Sequence, residues 1–420
     1  MDIRTIAEEN RGGRRIGLPS FCTSNEEVLD SIFRHAAGRD LPILVEATCN
    51  QVNQDGGYTG MKPADFIALV HRLASRNDIA RSALLVGGDH LGPNPWRHMP
   101  AGEAMGRARD LVRAYVEAGF TKIHLDASMA CGGEPLPDFE LVAARAADLA
   151  RIAERYAPEP DRLVYVIGTE VPVPGGETDD MASISITTAD RFHETVESHR
   201  RAFEAQGLDA AWSRVVSVVT QPGVDFSHSA VHPFDREEAA ALSASILDHA
   251  GLTFEAHSTD YQTADALSQL VESHFLFLKV GPELTFAYRE AILALAHIES
   301  RLGSASPSRV EQVLLEAMER DPQHWSNYYR GSEREVALLK LFSLSDRVRY
   351  YWPLPAVQAA LARLRENLAL QVPPSGLVRQ YGQAAKPSKG GADLYRNFVD
   401  AQVAAVLDRY YGACGMPAEA

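Results

Sequence analysis

Cysteine is scarce: four in 420 residues, at positions 22, 49, 131 and 414, with no C-x-x-C pair. Such spacing builds neither a zinc knuckle nor a disulfide frame and reads as free thiols in a reducing, cytoplasmic setting. Positive charge is in deficit, with 41 Lys and Arg against 56 Asp and Glu and a net charge of −15. That argues against nucleic acid or an anionic membrane as partner, though not against a small phosphorylated ligand, which needs only a local cluster of donors. No run approaches the ~18 apolar residues of a spanning helix. The opening MDIRTIAEENRGGRR is too charged for a signal peptide. Also missing are G-x-G-x-x-G after a strand and G-x-x-x-x-G-K-[ST], the usual cradles of dinucleotides and nucleoside triphosphates.

What the chain does have is a rhythm. Short β-rich apolar runs recur at 16–21, 43–46, 83–86, 122–125, 163–167, 215–219, 252–256 and 275–280. Each is followed by a helix-competent segment, such as 25–37 after the first and 102–118 after the third. Eight strand–helix units within residues 1–303 suit a closed (β/α)8 barrel, the TIM barrel, better than an open doubly wound sheet. From 304 to 420 the pattern becomes an all-helical extension. Helices are expected near 310–318, 333–344, 356–370 and 393–410, with a Pro-, Gly-, Ser- and Lys-containing linker or loop at 373–391. Its aromatic stretches, DPQHWSNYY and RVRYYWPLP, point to packing against the barrel or a second subunit, and a homo-oligomer is expected.

A barrel of this kind carries its chemistry where the strands end. The third run leads into Gly87-Gly88-Asp89-His90: a glycine turn, then an acid and an imidazole. Neighbours on a regular strand face opposite ways, but at an irregular end both can face one cavity. The plainer alternative is a helix cap beside a surface histidine. After the second run, Glu46, Asn50, Gln51 and Asn53 offer an acid and amides for a polyhydroxylated ligand, or simply an amide-rich turn. At the fourth, alternation puts His124, Asp126 and Ser128 on one face, although a lone inward histidine is equally a satisfied core group. Glu170 leaves the fifth just before two prolines. Ser258 and Asp260 follow the seventh, and Lys279 and Gly281 end the eighth. His90, His228 and His257 lie at or after the ends of strands three, six and seven, which converge in a closed barrel. Three imidazoles with an open fourth position are the ligand set of a catalytic zinc.

Eight stretches carry a family resemblance: ILVEATCNQVNQDGGYTG, GGDHLGPN, AGFTKIHLDAS, YVIGTEVPVPGG, QPGVDFSHS, EAHSTDYQT, LKVGPELTFAYREA and SLSDRVRYYWP. From about residue 15 to 355 the chain resembles the Z-subunit family of class II tagatose-bisphosphate aldolases (GatZ/KbaZ). The resemblance implies a class II aldolase-like barrel with a helical addition. It implies zinc, or another divalent metal, on His90, His228 and His257, with Asp89 as acid/base and Glu170 supporting the metal or serving as an alternative ligand. It also implies either a non-catalytic partner of an aldolase Y subunit or a stand-alone D-tagatose 6-phosphate 4-epimerase. The label tagatose 6-phosphate kinase, also used in the family, finds no nucleotide loop here.

Aldolase and 4-epimerase chemistry share one cleavage of the C3–C4 bond, and no nicotinamide fingerprint offers another route. One departure favours the epimerase. His257 is followed by Ser-Thr-Asp-Tyr-Gln-Thr, not by the glycine-rich turn whose N–H groups hold a 1-phosphate in class II aldolases. Asp260 there would repel one, although Lys279 and the Gly281 turn remain candidate phosphate ligands. The expected reaction is metal-dependent epimerisation of D-tagatose 6-phosphate to D-fructose 6-phosphate, the alternative being a Z subunit stabilising a tagatose-1,6-bisphosphate aldolase.

Overall fold

The computed structural model describes residues 3–169, 184–382 and 391–416. Eight parallel strands close into a barrel: β1 (Leu18–Cys22), β2 (Ile43–Thr48), β3 (Leu84–Leu91), β4 (Lys122–Leu125), β5 (Val164–Ile167), β6 (Val215–Thr220), β7 (Thr253–Ala256) and β8 (Phe275–Val280). Each strand pairs with its sequence neighbours, and β8 closes on β1. Helices α1 (Ile3–Arg11), α2 (Glu26–Ala36), α3 (Pro63–Arg76), α4 (Ala101–Ala118), α5 (Phe139–Tyr156), α6 (Ala189–Ala205), α7 (Asp209–Trp212), α8 (Ala240–Ser245), α9 (Ala264–Glu272) and α10 (Pro282–Leu302) accompany them. The helix starts follow local chemistry. Asn25 caps α2 by accepting from the N–H groups of Glu27 and Val28, and α3 begins at Pro63, whose missing N–H costs nothing there.

The barrel is filled in layers. At the amino ends of the strands lies an apolar plug of Leu18, Leu44, Val166, Val216 and Phe277, closed from below by Ile3 and Ala7 of α1. Above it the inward positions turn charged, because alternation carries Glu46, Lys122, Glu255 and Lys279 to the same side of their strands.

Strand β3 runs on through Leu91, so Gly87 and Gly88 form no turn; they are strand residues, needed for close approach. A Cβ on Gly87 would lie 2.9 Å from the Glu46 side chain, and one on Gly88 would lie 2.6 Å from the Tyr115 ring.

The C-terminal extension contains α11 (Val310–Arg320), α12 (Glu333–Phe342), α13 (Pro355–Leu370), α14 (Ser375–Tyr381) and α15 (Gly391–Ala413). The stretch expected to be a linker thus contains a short helix, α14, while 383–390 lie outside the described residues. Helix α15 packs against α2, α9, α10 and α13. Tyr410 donates to the Thr259 carbonyl (2.7 Å) and Tyr411 to that of Pro42 (2.9 Å). The aromatic extension therefore packs on the barrel, the first of the two expectations. Among the described residues, no helix is long and apolar enough to cross a membrane.

Candidate functional site

The charged layer is a chain of buried ion pairs. Lys122 Nζ lies 2.7 Å from Glu46 Oε1 and 2.6 Å from Glu255 Oε2, within ion-pair distance of both but without a well-aligned hydrogen bond to either. The Phe277 ring sits 4.6 Å from the same ammonium. Lys279 pairs with Glu46 Oε2 and, at 3.0 Å, with Asp89 Oδ2. Burial alone would drive Lys279 towards its neutral form, but Asp89 and Glu46 outweigh it and hold the amine charged. Lys122 and Glu255 were not singled out from the sequence. A charged residue inside an otherwise apolar strand, as in TFEA, was the available signal.

Above this layer sit Asp89 and His90. His90 adopts a left-handed backbone (φ 49°), and the β3–β4 register shifts between Gly88 and Leu91. That break lets two consecutive side chains face one cavity, at a cost of about 1–3 kcal/mol in backbone strain. Asp126 Oδ2 holds His90 Nδ1 at 2.8 Å, and Ser128 donates from both Oγ and N–H to Asp126 Oδ1. His90 Nε2 is left 3.7 Å from Asp89 Oδ2. Burial disfavours the charged imidazole, but Asp89 and Asp126 overcome it and raise the His90 pKa. Burial likewise pushes the Asp89 carboxyl up, yet His90, Lys279 and His124 hold it well below the usual range. Asp89 therefore stays anionic, and of the two His90 is the group able to take up and release a proton.

The histidines that meet are 90, 124 and 257, with ring centroids 4.8–5.2 Å apart. His228 is elsewhere. Its Nδ1 faces Ser345 and Ser343 Oγ at 3.2 and 3.3 Å, its Nε2 lies 3.0 Å from the Tyr328 carbonyl, and its ring packs on Tyr329. The loop after β6 carries it to the helical extension, which engages both nitrogens. His124, expected as a ligand-binding residue or a core group, stands beside His90 and His257 in the place expected for His228.

Asp89, His124, Glu255 and His257 each offer a ligand atom, all within 4.8 Å of one another. His124 Nδ1 lies 2.9 Å from Asp89 Oδ1 and 3.2 Å from the His90 backbone N–H, and its Nε2 is buried without a hydrogen-bond partner among the described residues. Burial pushes His257 down to about 4, so it presents a neutral imidazole. In the same interior four carboxylates, Glu46, Asp89, Asp126 and Glu255, face two ammonium groups and the His90 imidazole, so negative charge is left over. Two imidazoles, two carboxylates, an orphaned nitrogen and a surplus of negative charge fit a divalent cation. A second trio, Cys22, Glu46 and Asp89, offers no imidazole, and burial pushes the Cys22 thiol up and keeps it protonated.

A cavity of about 940 Å³ opens above. Asp89, His90, His257 and Lys279 form its floor, so Asp89 and His257 belong both to the cation group and to the ligand space. Asn50, Gln51, Ser258, Asp260 and Gly281 also line it. The other expected ligand-binding residues do not. Glu46 is fully buried between the lysines, and Asp126 and Ser128 orient His90 from behind. Asn53 holds a turn, accepting from the N–H groups of Asp55 and Gly57 and donating to the Cys49 carbonyl. Glu170 lies outside the described residues. Asp260 Oδ1 accepts from the N–H groups of Gly281 (3.0 Å) and Glu283 (2.8 Å), so a carboxylate already occupies the start of α10 where an anion would dock. The outer wall comes from the extension, through Arg349 and Tyr350, with Tyr58 of the β2–α3 loop; sequence reasoning gave none of the three a ligand-binding role.

Solved structures of similar chains include the following. A probable tagatose 6 phosphate kinase from Sinorhizobium meliloti is 44% identical, with a TM-score of 0.86 over 95% of this chain and 100% of that one. The YdjI aldolase from Escherichia coli K12 is 11% identical, with a TM-score of 0.42 over 86% and 96% of the two chains. The family model described as D-tagatose-1,6-bisphosphate aldolase subunit GatZ/KbaZ-like matches residues 3–415, and the chain belongs to that family.

Proposed function

We propose that this chain is a cytoplasmic enzyme that interconverts ketohexose 6-phosphates at C4, turning D-tagatose 6-phosphate into D-fructose 6-phosphate by cleaving and re-forming the C3–C4 bond. The observation that carries the proposal is the cavity floor, where a proton-exchanging His90, oriented by Asp126, adjoins a buried ligand set suited to a divalent cation. When bound, the cation, taken to be zinc, supplies Lewis acidity towards the ketose carbonyl, easing the negative charge that develops as the bond breaks. His124, His257, Glu255 and Asp89 would hold it.

His90 Nε2 takes the proton from the C4 hydroxyl as C3 and C4 separate, and returns it when C3 adds to the other face of the aldehyde. In this reading Asp89 and His90 exchange the roles that the family resemblance implies. Lys279 neutralises Asp89 and Glu46 beneath the substrate. Asn50, Gln51 and Ser258 offer polar groups to the sugar hydroxyls. Asp260, seated on the α10 N–H groups, favours a free C1 hydroxyl over a 1-phosphate.

The family description supports a second reading, a subunit that stabilises a separate aldolase Y chain. Kinase activity, named for the Sinorhizobium relative, has no nucleotide loop to support it in this sequence. Incubating the purified chain alone with tagatose 6-phosphate decides among these. Fructose 6-phosphate without triose accumulation is expected. Triose products would indicate an aldolase. No turnover, together with stabilisation of an added Y chain, would establish the partner role.

A further inference from the structure

Five arginines line the cavity of a protein carrying fifteen excess negative charges: Arg34, Arg76, Arg349, Arg365 and Arg396. Arg396 is an exposed side chain of α15, and three of the others are spent on carboxylates. Arg34 pairs with Asp30 and Asp400, Arg76 with Asp30, and Arg365 with Glu27. Arg349 is different. It projects from the 3-10 turn Arg347–Tyr351, and its acceptors are all neutral: the Ser345 and Asp346 carbonyls on Nη1, and the Tyr350 hydroxyl on Nη2 at 3.0 Å. Asp346, the nearest acid in sequence, is engaged by Thr285 Oγ1 (2.7 Å) and Arg289 Nε (3.2 Å). Among the described residues no carboxylate lies within ion-pair distance of Arg349. Of its five N–H groups, Nε–H and one on Nη2 remain unspent.

A half-buried guanidinium fixed by neutral acceptors and open to a cavity is an anion anchor awaiting its anion. Its neighbours fit. The Tyr58 and Tyr350 rings meet edge to face at 4.6 Å, and Tyr58, Ser24 and Gln51 line the same cavity. Gln51 reaches the Cys22 carbonyl at 3.5 Å, and Cys22 Sγ lies 3.3 Å from Asp89 Oδ2. One continuous wall therefore joins Arg349 to the reactive floor. At the other candidate phosphate position, the start of α10, Asp260 blocks the way.

We propose that Arg349, supplied by the helical extension, is the specificity-determining anchor for a phosphate monoester at the end of the sugar remote from the floor. The assignment rests on the sugar-phosphate reading above, but it is tested separately from it. Inorganic phosphate titrated calorimetrically into the full chain is expected to bind saturably, and the Arg349→Met protein is expected to lose that binding by about 10²-fold, the worth of a charge-assisted pair. Arg349→Lys, which keeps the stem and charge but not the planar fork, should retain an intermediate affinity. It also serves if the Met variant does not fold.

With sugars, the ratio of kcat/KM for the ketohexose 6-phosphate to that for the free ketohexose should fall about 10²-fold in Arg349→Met, mainly through KM. Phosphate binding that is absent from the wild type, or equal in wild type and both variants, overturns the proposal. So does acetate competing as well as phosphate, which would mark a carboxylate site instead. A wild type that binds phosphate through Arg349 yet turns over neither sugar would remove the proposed reaction and leave this anchor standing.

Discussion

The floor and the outer wall of the same cavity are built by opposite means. The floor is set at short range: Asp89, His90, His257 and Lys279 lie at or just past the ends of barrel strands, held by contacts with one another and with Asp126. The wall is assembled at long range from a turn near residue 349 and a loop near residue 58, and it holds a cation paired only with neutral groups. A reactive centre needs fixed geometry and compensated charge before substrate arrives. An anchor needs the reverse, a charge kept in deficit until the ligand supplies its partner. The difference assigns chemistry to the floor and specificity to the wall.

Substitutions sharpen or break that division. The largest effect belongs to His90→Gln, which should lower kcat by about 10²–10⁴ while bound metal is retained; turnover and metal content measured on the same sample check it. His124→Ala and His257→Ala should instead lose the metal. If His90→Gln released the cation and His124→Ala kept it, the roles given to these imidazoles would be reversed.

Next is stability. Lys122→Met leaves Glu46 and Glu255 buried against less positive charge and should cost about 3–5 kcal/mol in denaturant unfolding. Arg365→Met removes a half-exposed wall pair with Glu27 and should cost about 0–1 kcal/mol. Comparable losses would show that the wall is as structural as the floor.

Asp260→Ser keeps a cap on α10 without the charge. It should raise activity on the 1,6-bisphosphate relative to the 6-phosphate by about three- to tenfold, measured as a ratio of kcat/KM.

The smallest effect is a control outside both regions. His199 on α6 is fully buried, donates from Nδ1 to the Thr195 carbonyl and is pushed down to about 4 by burial. A histidine with a depressed folded pKa is neutral when packed and binds protons on unfolding. Its contribution to stability is therefore present above about pH 6.5 and lost as pH falls towards 4. His199→Phe should flatten that part of the pH–stability curve, followed by urea midpoints, without changing the profile of turnover.

Much of the barrel was legible because its signals are local. All eight strands lie where the apolar runs place them, and Asn25 and Pro63 mark helix starts. The pairing of Asp89 with His90, and the alternation of His124, Asp126 and Ser128, carried over into one connected cluster. What failed depended on loops or on distance. His228 follows a strand end by eight residues, and the ladder formed by Asp225–Phe226 and Val231–His232 turns its segment towards the extension. Asn53 is drawn from the ligand by the turn it builds. Arg349 reaches the cavity only because α15 and its neighbours pack back on the barrel, which no short-range pattern encodes. Lys122 and Glu255 become intelligible once the closed barrel sets them across from each other.

The surplus of buried negative charge around His124 is the claim on which the rest stands, and metal analysis of the protein as isolated without added chelator tests it most directly. One divalent cation per chain, lost in His124→Ala and in His257→Ala, is the result predicted. A metal-free wild type with full epimerase activity, unaffected by chelators, would contradict it.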